Sequence, residues 1–201
     1  MRALLLTFVS AYLLGSIPFG YIFVRIFRGQ DIRQTGSGNI GATNVSRTSP
    51  ALGAATLILD ALKGAAAVIV VRALFPEQTT LLGAAALFAI VGHMFPIWLR
   101  FRGGKGVATG LGSFVVIAPK TILMTIIVFA VVFLVFRYIS LASVVAVASF
   151  PLLAWIVEPS YSSPQMLAFM IAASVLIVAK HHENIRRMLA HTEPRFRMGR
   201  G

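Results

Sequence analysis

The sequence predicts an all-α integral membrane protein with seven transmembrane helices. Hydrophobic residues make up 58% of the 201 residues, charged residues only 12%, and the mean hydropathy is +0.86. Soluble domains contain about 45–50% apolar and about 25% charged residues, so this chain has too few polar groups to cover a soluble surface. The apolar runs are continuous instead of alternating, which predicts helices, and a bilayer core about 30 Å thick needs about 20 such residues per helix.

The same composition excludes several other classes of protein. A disordered chain lacks the apolar surface that this one must bury. The chain has 0 cysteines, which excludes a disulfide framework, a thiolate nucleophile and a thiolate metal site. The formal net charge of +12 would suit nucleic acid in a polar chain. In a chain this apolar, it favours anionic lipid headgroups as the partner instead, and no nucleic-acid binding is predicted.

Three spans are predicted in the N-terminal half. The first covers residues 3–24, and no small-residue cleavage site follows it, so we expect an uncleaved span and not a signal peptide. The second covers 51–71 and the third covers 81–99, each bounded by polar segments. All three runs are long enough to cross a bilayer as helices.

One apolar run in the C-terminal half must be divided into two helices. Residues 106–136 are too long for one span, and Pro119-Lys120 interrupts them near the middle. Proline removes a helix hydrogen bond, and a lysine at mid-bilayer is costly. We therefore predict a short fourth helix and three longer ones, at 107–118, 121–136, 139–157 and 165–179. The alternative keeps 107–136 as a re-entrant element or hairpin and gives five spans.

The distribution of basic residues predicts the orientation. With seven spans and a cytoplasmic C-terminus, Met1 is external, and only Arg2, Arg72 and Lys120 lie outside, while Lys63 lies within a span. Six spans would satisfy the positive-inside rule poorly in either orientation. The chain is predicted to be a single polytopic domain, 1–201. The remaining fourteen of its 18 basic residues are then cytoplasmic: Arg25, Arg28, Arg33, Arg47, Arg100, Arg102, Lys105, Arg137, Lys180, Arg186, Arg187, Arg195, Arg197 and Arg200.

The first polar segment that suggests chemistry is 36–47, Gly-Ser-Gly-Asn-Ile-Gly-Ala-Thr-Asn-Val-Ser-Arg. Its glycines permit positive φ angles, and successive amides in such a loop can form an anion-binding nest. Ser37, Thr43 and the two asparagines add side-chain donors, and Arg47 adds a bidentate fork suited to phosphate. The alternative is a flexible loop that only joins two helices.

The second segment, 102–109, opens a predicted helix with Arg-Gly-Gly-Lys-Gly-Val-Ala-Thr. Helix N-terminal amides and the positive end of the helix dipole converge there, and Lys105 adds a full charge. A Walker A loop needs Ser or Thr directly after the lysine, and Gly106 stands there, so ATP or GTP binding is not predicted. The alternative is a glycine-rich turn with a positive-inside lysine.

The third segment is 181–187, His-His-Glu-Asn-Ile-Arg-Arg, which continues the last helix into the cytoplasm. His181, Asn184 and Arg187 share a helical face at spacings of three, and a histidine there can act as a base or a phosphate donor. No metal site is predicted, because His181 and His182 point about 100° apart on a helix. The alternative is a solvated basic helix end.

All three segments lie on the cytoplasmic face of the predicted topology, and together they resemble the three motifs of the bacterial membrane acyl-phosphate:glycerol-3-phosphate acyltransferases. Residues 36–44, 103–109 and 181–185 appear in the family's order and spacing. Shorter segments between them also resemble the family: Asp60-x-x-Lys63-Gly64, Gly92-His93-Met94-x-Pro96 and Ser140-Leu141-Ala142-Ser143. The likeness covers nearly the whole chain.

The resemblance implies transfer of a fatty acyl group from acyl phosphate to glycerol 3-phosphate, the first step of phospholipid synthesis. It also implies that acyl-CoA and acyl carrier protein are not donors, that no cofactor or metal is needed, and that a soluble enzyme supplies acyl phosphate. The expected location is the bacterial cytoplasmic membrane, with the active site facing the cytoplasm. A transporter of an organic phosphate is the rival function, and a non-catalytic lipid-phosphate binding protein is a third.

The resemblance also implies site residues, at positions near the two phosphates and around the acceptor. Backbone amides near Gly38 and Gly103-Gly104 are candidates to stabilise an oxyanion. We predict catalytic roles for His181, Lys105, Ser37 and Asn184. We predict substrate binding by Gly38, Asn39, Thr43, Arg47, Gly103, Gly104 and Ser143.

The base that deprotonates the acceptor hydroxyl remains open between His181 and an oxygen of a substrate phosphate, since a reactive anhydride needs mainly positioning and shielding. Ser37 as a covalent nucleophile would need an adjacent base, which the sequence does not show. Asp60 and Lys63, three residues apart on one helix, are predicted to pair structurally, because pairing lowers the cost of charge in a membrane. His93 is predicted to lie at a helix end.

Overall fold

The computed structural model describes residues 2–159 and 163–196, and within these ranges it contains helices and no strand, which confirms the predicted all-α class. The termini that carry Met1, Arg197 and Arg200 lie outside the described residues. Two short 3-10 helices occur at Ile32–Gln34 and Ile97–Leu99. The α-helices are α1 Arg2–Gly15, α2 Phe19–Arg28, α3 Ala42–Thr48, α4 Pro50–Leu74, α5 Thr79–Met94, α6 Val107–Ile117, α7 Pro119–Phe136, α8 Ile139–Val157, α9 Pro164–Ala179 and α10 His182–Leu189.

Each predicted apolar segment is helical, but not every helix is long enough to cross a bilayer. Among the described residues, five stretches are long and apolar enough, and the pair α9–α10, bent by 52°, makes a sixth if it counts as one span. With 11 residues, α6 is about 16 Å long, roughly half of a bilayer core. The count of seven spans therefore stays a prediction. The five long stretches are Arg2–Arg28, Pro50–Leu74, Thr79–Leu99, Pro119–Phe136 and Ile139–Val157.

Pro119 and Pro18 both lie within apolar runs of the sequence, and the structure agrees with the predicted helices at the first of them only. Pro119 begins α7 directly after α6 ends, so the predicted division of 106–136 is confirmed. The first predicted span, 3–24, is wrong as one continuous helix, because α1 ends at Gly15 and α2 begins after Pro18. Proline lacks the N–H that would continue the helix, and it disfavours helical geometry in the residue before it.

The chain divides into two compact units, and the first, Met1–Ile117, contains α1 to α6. Small residues bring its helices together. A Cβ on Gly112 would overlap the carbonyl of Ala61, and one on Gly64 would overlap the carbonyl of Thr109, so α4 and α6 approach backbone to backbone. Such close approach is typical of glycine at membrane helix interfaces.

A small apolar cluster in the same unit supports the segment that follows α2. Its buried members are Val24 from α2, Ile32, Ile40, Val45 from α3, and Leu99. Ile40 of the loop 36–41 and Val45 of α3 belong to this cluster, so buried apolar side chains anchor the polar segment. The first predicted phosphate-binding segment is thus ordered structure and not a loose linker.

The second unit, Ala118–Gly201, contains α7 to α10. Glu158, which follows α8, accepts hydrogen bonds from the amide (2.9 Å) and hydroxyl (2.7 Å) of Thr121 in the first turn of α7. The end of α8 therefore lies beside the start of α7, and the two helices are antiparallel. A carboxylate at this position also satisfies an N–H that the helix start leaves without an intrahelical acceptor.

Candidate active site

Asn44 organises the segment 36–47 from within. Its side chain is only 3% exposed. Its amide nitrogen donates to the carbonyls of Ile32 (3.3 Å), Thr35 (3.0 Å) and Asn39 (2.9 Å), and its side-chain oxygen accepts from the amide of Ser37 (3.0 Å). The predicted role of Asn44 as a donor to substrate is therefore wrong, because its donors are used to fold the loop.

Two glycines let the loop turn around this asparagine. Gly36 and Gly38 have φ angles of 56° and 69°, in the left-handed region that residues with a Cβ rarely adopt. A Cβ on Gly36 would also overlap the side-chain oxygen of Asn44. Asn39 stabilises the next turn by accepting a hydrogen bond from the amide of Gly41 at 2.8 Å. The loop's conformation is therefore specified residue by residue.

Three of the predicted site residues in this segment point to the surface of the first unit. Ser37 lies in the loop, while Thr43 and Arg47 lie on α3, and all three side chains are exposed. The fold thus divides the segment into an internal set that shapes the loop and an exposed set that is accessible to a ligand. A hydroxyl pair and a guanidinium in the exposed set suit a phosphate ester.

The segment before α6 is fixed against the end of α5. The amide of Gly103 donates to the carbonyl of Met94 (3.1 Å), and the amide of Gly104 donates to the carbonyl of His93 (3.0 Å). The amide of Gly38 likewise donates to the carbonyl of Thr35 (2.9 Å). These three N–H groups thus donate to main-chain carbonyls, and the oxyanion role of amides near these glycines stays a prediction. Lys105 follows directly and is half-buried.

A polar cavity of about 550 Å³ adjoins the first segment. Its lining includes Tyr21, Arg25, Asp31 and Thr35, and no residue of the predicted site lines it. Arg33 lies 5.0 Å from the ring centroid of Tyr21 and pairs with Asp31 at 2.6 Å. Hydrogen bonding from Arg33 lowers the pKa of the Asp31 carboxyl, although burial opposes the shift. The carboxylate is therefore committed to Arg33.

His181 lies in the turn between α9 and α10 in the second unit, directly before α10, and is only 3% exposed. Its Nδ1 lies 2.7 Å from the carbonyl oxygen of Ile177. A carbonyl can only accept, so Nδ1 carries the proton and the lone pair of the neutral ring is on Nε2. Ser143, on α8, is also buried and donates its hydroxyl to the carbonyl of Ile139 (2.8 Å).

Glu193, to which no sequence motif points, holds Asn184 in place. One carboxylate oxygen accepts from Ser140 Oγ (2.6 Å) and Asn184 Nδ2 (2.7 Å), and the other accepts from Arg187 Nε (2.7 Å). The Glu193 side chain is 6% exposed. Burial raises the pKa of this carboxyl, but the hydrogen bonds from Ser140, Asn184 and Arg187 outweigh it and hold the pKa below its ordinary value.

We expect Glu193→Gln to destabilise the protein at neutral pH. The amide removes the charge and turns an NH₂ group towards one of three donors, at a cost of about 2 kcal/mol, or roughly 4–8 °C in Tm for a chain of this size. Because the folded pKa is depressed, the stabilisation exists above the unfolded value near 4.5 and is lost as pH falls through the folded pKa. Thermal unfolding in detergent at pH 7 and at pH 4 measures both effects.

Glu183→Gln is the matched control for this substitution. Glu183 also pairs with Arg187, but at 3.9 Å and with a side chain that is 66% exposed. Exposed pairs contribute at most about 1 kcal/mol, so Tm should change little. Equal losses in the two variants, or a Glu193→Gln loss that grows towards acidic pH, would contradict the role assigned to Glu193.

Comparison with known proteins identifies the family. A model of the family described as glycerol-3-phosphate acyltransferase matches residues 5–191. The glycerol-3-phosphate acyltransferase of Syntrophotalea carbinolica is 42% identical over 198 residues, which cover 98% of this chain and 100% of the relative. That of Agrobacterium fabrum is 46% identical over 193 residues, covering 96% of this chain and 91% of the relative.

Solved structures give the same result at the level of the fold. The crystal structure of PlsY, an integral membrane glycerol 3-phosphate acyltransferase, in its glycerol 3-phosphate form has a TM-score of 0.90 and 37% identity. The match covers 98% of this chain and 96% of that chain. The lysophosphatidic acid form matches with a TM-score of 0.86 and 36% identity, over the same shares of the two chains. The chain therefore belongs to the glycerol-3-phosphate acyltransferase family of integral membrane enzymes.

Proposed function

We propose that this enzyme acylates glycerol 3-phosphate with acyl phosphate as the donor. A hydroxyl oxygen of glycerol 3-phosphate attacks the acyl carbonyl carbon, the bond from that carbon to the phosphate oxygen breaks, and inorganic phosphate leaves. The product is 1-acyl-glycerol 3-phosphate. The observation that carries the proposal is the match, over 98% of this chain, to structures of a glycerol 3-phosphate form and a lysophosphatidic acid form.

The first unit contributes the residues proposed to bind phosphate. Ser37, Thr43 and Arg47 are exposed on the ordered segment 36–47, and a guanidinium with neighbouring hydroxyls is a suitable set of donors for a phosphate. Lys105 supplies a cation directly after two glycines that hold its backbone against α5. Asn39, Gly38, Gly103 and Gly104 shape these segments, so that the charged side chains are positioned before a substrate arrives.

The second unit contributes the proposed base. With Nδ1 held by the Ile177 carbonyl, the neutral imidazole of His181 presents Nε2 as its proton acceptor. Asn184, oriented by Glu193, is proposed to orient the acceptor through its amide, and Ser143 is proposed to line the substrate site. We assign the general base to His181 because its tautomer is fixed by a protein carbonyl.

We expect product to form with acyl phosphate and not with acyl-CoA. Acyl phosphate carries a phosphate on the reacting carbonyl, and the proposed site supplies an arginine and a lysine for phosphates. Purified protein in detergent, labelled glycerol 3-phosphate and each donor in turn measure the choice. Equal rates with acyl-CoA would contradict the proposal, and uptake of glycerol 3-phosphate into vesicles without acylated product would favour a transporter. A soluble enzyme that makes acyl phosphate is the proposed partner.

We further propose that the chain forms one polytopic domain of the bacterial cytoplasmic membrane, with seven spans, an external N-terminus and a cytoplasmic active site. Two observations support this topology. Most basic residues then lie in the cytoplasm. Arg72, at the end of α4, donates to the carbonyl of Val116 near the end of α6 at 2.9 Å, so these two helices end at the same level, as expected if both end outside.

Single cysteines introduced into this cysteine-free chain test the topology. In intact spheroplasts, a membrane-impermeant maleimide should label Gln78→Cys and Lys120→Cys, and should label Ala190→Cys only after permeabilisation. All three side chains are exposed, so accessibility within the fold is matched. Lys120→Cys separates the alternatives, because a re-entrant hairpin over 107–136 would keep it from the external face. Labelling of Ala190→Cys without permeabilisation would contradict the orientation.

A further inference from the structure

A buried polar cluster in the first unit is not used by the proposed reaction. It consists of Asp60 and Lys63 on α4 and His93 at the end of α5, with side chains only 3–4% exposed. Asp60 Oδ1 lies 2.8 Å from Lys63 Nζ and 3.6 Å from His93 Nδ1. Charges buried in a membrane helix are costly and usually functional, so this cluster requires an explanation.

The Nε2 edge of the His93 ring packs directly on the backbone at Gly104. A Cβ on Gly104 would lie 2.8 Å from Cε1 and 2.9 Å from Cδ2 of the ring and would overlap Nε2. The amides of Gly103 and Gly104 donate to the carbonyls of Met94 and His93. The segment before Lys105 is therefore held by the main chain at the end of α5 and by the Nε2 edge of the imidazole ring.

The opposite edge of the ring, which carries Nδ1, faces Asp60 on α4. Asp60 lies beside Nδ1, and Lys63 compensates the charge of Asp60 while donating to the carbonyl of Ile17 at 2.6 Å. Ile17 lies in the break between α1 and α2. The imidazole is thus a spacer of fixed orientation between a buried ion pair and the glycine backbone.

We propose that His93 is a positioning residue for Lys105: its imidazole, oriented by Asp60, sets the place of the segment 103–105 and hence of the lysine ammonium. This inference rests on the proposed role of Lys105 in binding substrate phosphate. His93 does not touch substrate in this scheme. A smaller side chain at 93 would leave space beneath Gly104, the lysine would no longer be pre-positioned, and affinity for the phosphate substrate would fall.

A size exchange between positions 93 and 104 tests the proposal. His93→Ala removes the ring, and Gly104→Ala adds a methyl group that overlaps it. Each single variant should raise KM for glycerol 3-phosphate about tenfold with a much smaller change in kcat. Independent effects would multiply to about 100-fold in the double variant. We expect the double variant to be no worse than either single one, because the methyl group then occupies the vacated space.

Three further variants keep the test decisive if a single variant is unstable. His93→Phe keeps a ring against Gly104 and should raise KM less than His93→Ala. Ile90→Ala, one turn earlier on α5 and 0% exposed in the parent, should lower Tm without raising KM. Lys105→Ala reports the phosphate contact itself. Multiplicative effects in the double variant, or a KM for His93→Phe as high as for His93→Ala, would overturn the positioning role.

The proposed reaction and the positioning role can fail separately. The rise in Tm with increasing glycerol 3-phosphate gives an apparent affinity without any chemistry. If the wild-type protein binds glycerol 3-phosphate but forms no product from acyl phosphate, the proposed reaction is contradicted. The effects of the variants at positions 93 and 104 can then still be measured as changes in the affinity for glycerol 3-phosphate. If the double variant at positions 93 and 104 departs from the combined single effects in Tm, but not in KM or in affinity for glycerol 3-phosphate, the positioning role is overturned. The proposed reaction is unaffected by that outcome.

Discussion

Replacing His181 with alanine is expected to lower kcat/KM by about 10²–10⁴-fold, the range for loss of a general base. The reason is local geometry. Nδ1 of His181 is 2.7 Å from the Ile177 carbonyl, so only Nε2 can accept the proton of the acceptor hydroxyl. Initial rates with acyl phosphate and glycerol 3-phosphate, over a range of both substrates, measure the loss and show whether it lies in kcat.

The pH dependence separates His181 from the substrate phosphate as base. Protonation of the ring removes the lone pair, so wild-type kcat/KM should fall towards acidic pH. The second ionisation of a phosphate ester, near pH 6, affects every variant equally. His181→Asn keeps one hydrogen bond to the Ile177 carbonyl. Because asparagine does not titrate, this variant should lack the part of the acidic fall in kcat/KM that protonation of the ring causes. A His181→Asn variant with substantial activity and an unchanged limb would assign the base to the substrate.

The neighbouring histidine is the matched control. His182 is exposed, and its Nδ1 lies 3.0 Å from the Ala179 carbonyl, so it makes the same kind of contact outside the buried position. His182→Ala should retain nearly wild-type kcat/KM and the wild-type acidic limb. A comparable loss in both variants would show that the helix end is needed for folding and not for proton transfer.

Replacing Lys105 with alanine should lower kcat/KM by roughly 10- to 150-fold. A charge-assisted hydrogen bond contributes about 1.5–3 kcal/mol, and each 1.4 kcal/mol is a factor of ten. The loss should be larger if Lys105 contacts the phosphates of both substrates. Kinetics with each substrate varied in turn show which KM rises. Lys105→Arg keeps the charge and should lose less than Lys105→Ala.

Lys120→Ala is the control for a general loss of positive charge. Lys120 is exposed in the first turn of α7, and its replacement should leave kcat/KM close to the wild-type value. The contrast with Lys105→Ala then reports position and not net charge. Wild-type efficiency of Lys105→Ala would contradict the phosphate-binding role of the segment 103–105.

The helices could be predicted well from the sequence because each is a local property of the chain. α8 was predicted at its observed bounds, 139–157, and the division at Pro119 is confirmed. The break at Pro18 was missed because the apolar run continues through it unchanged. The Ser-Ile-Pro-Phe sequence there was the available signal, since proline inside an apolar run interrupts a helix.

The site was harder to predict because its internal contacts depend on tertiary structure. Composition predicts the glycine-rich segments, but it does not reveal the main-chain carbonyls that accept hydrogen bonds from the amides of Gly38, Gly103 and Gly104. The sequence predicts Asn44 as a donor to substrate, whereas the folded turn brings three carbonyl acceptors around its side-chain amide. Glu193 contacts Ser140 across 53 positions in sequence, a separation at which no periodic pattern signals a contact.

The buried pair on α4 has a consequence for how the protein is made. A charged residue at the centre of a helix entering the bilayer from the translocon costs about 2.5–3.5 kcal/mol. Asp60 and Lys63 lie three residues apart on the same helix, and the Ile17 carbonyl, which accepts a hydrogen bond from Lys63, is synthesised earlier. Among the described residues, Asp60, the Ile17 carbonyl and the Phe19 ring, which all contact Lys63, are therefore synthesised before it. The central part of α4 can therefore enter the bilayer with the charges of Asp60 and Lys63 offsetting each other, before α5 and His93 exist.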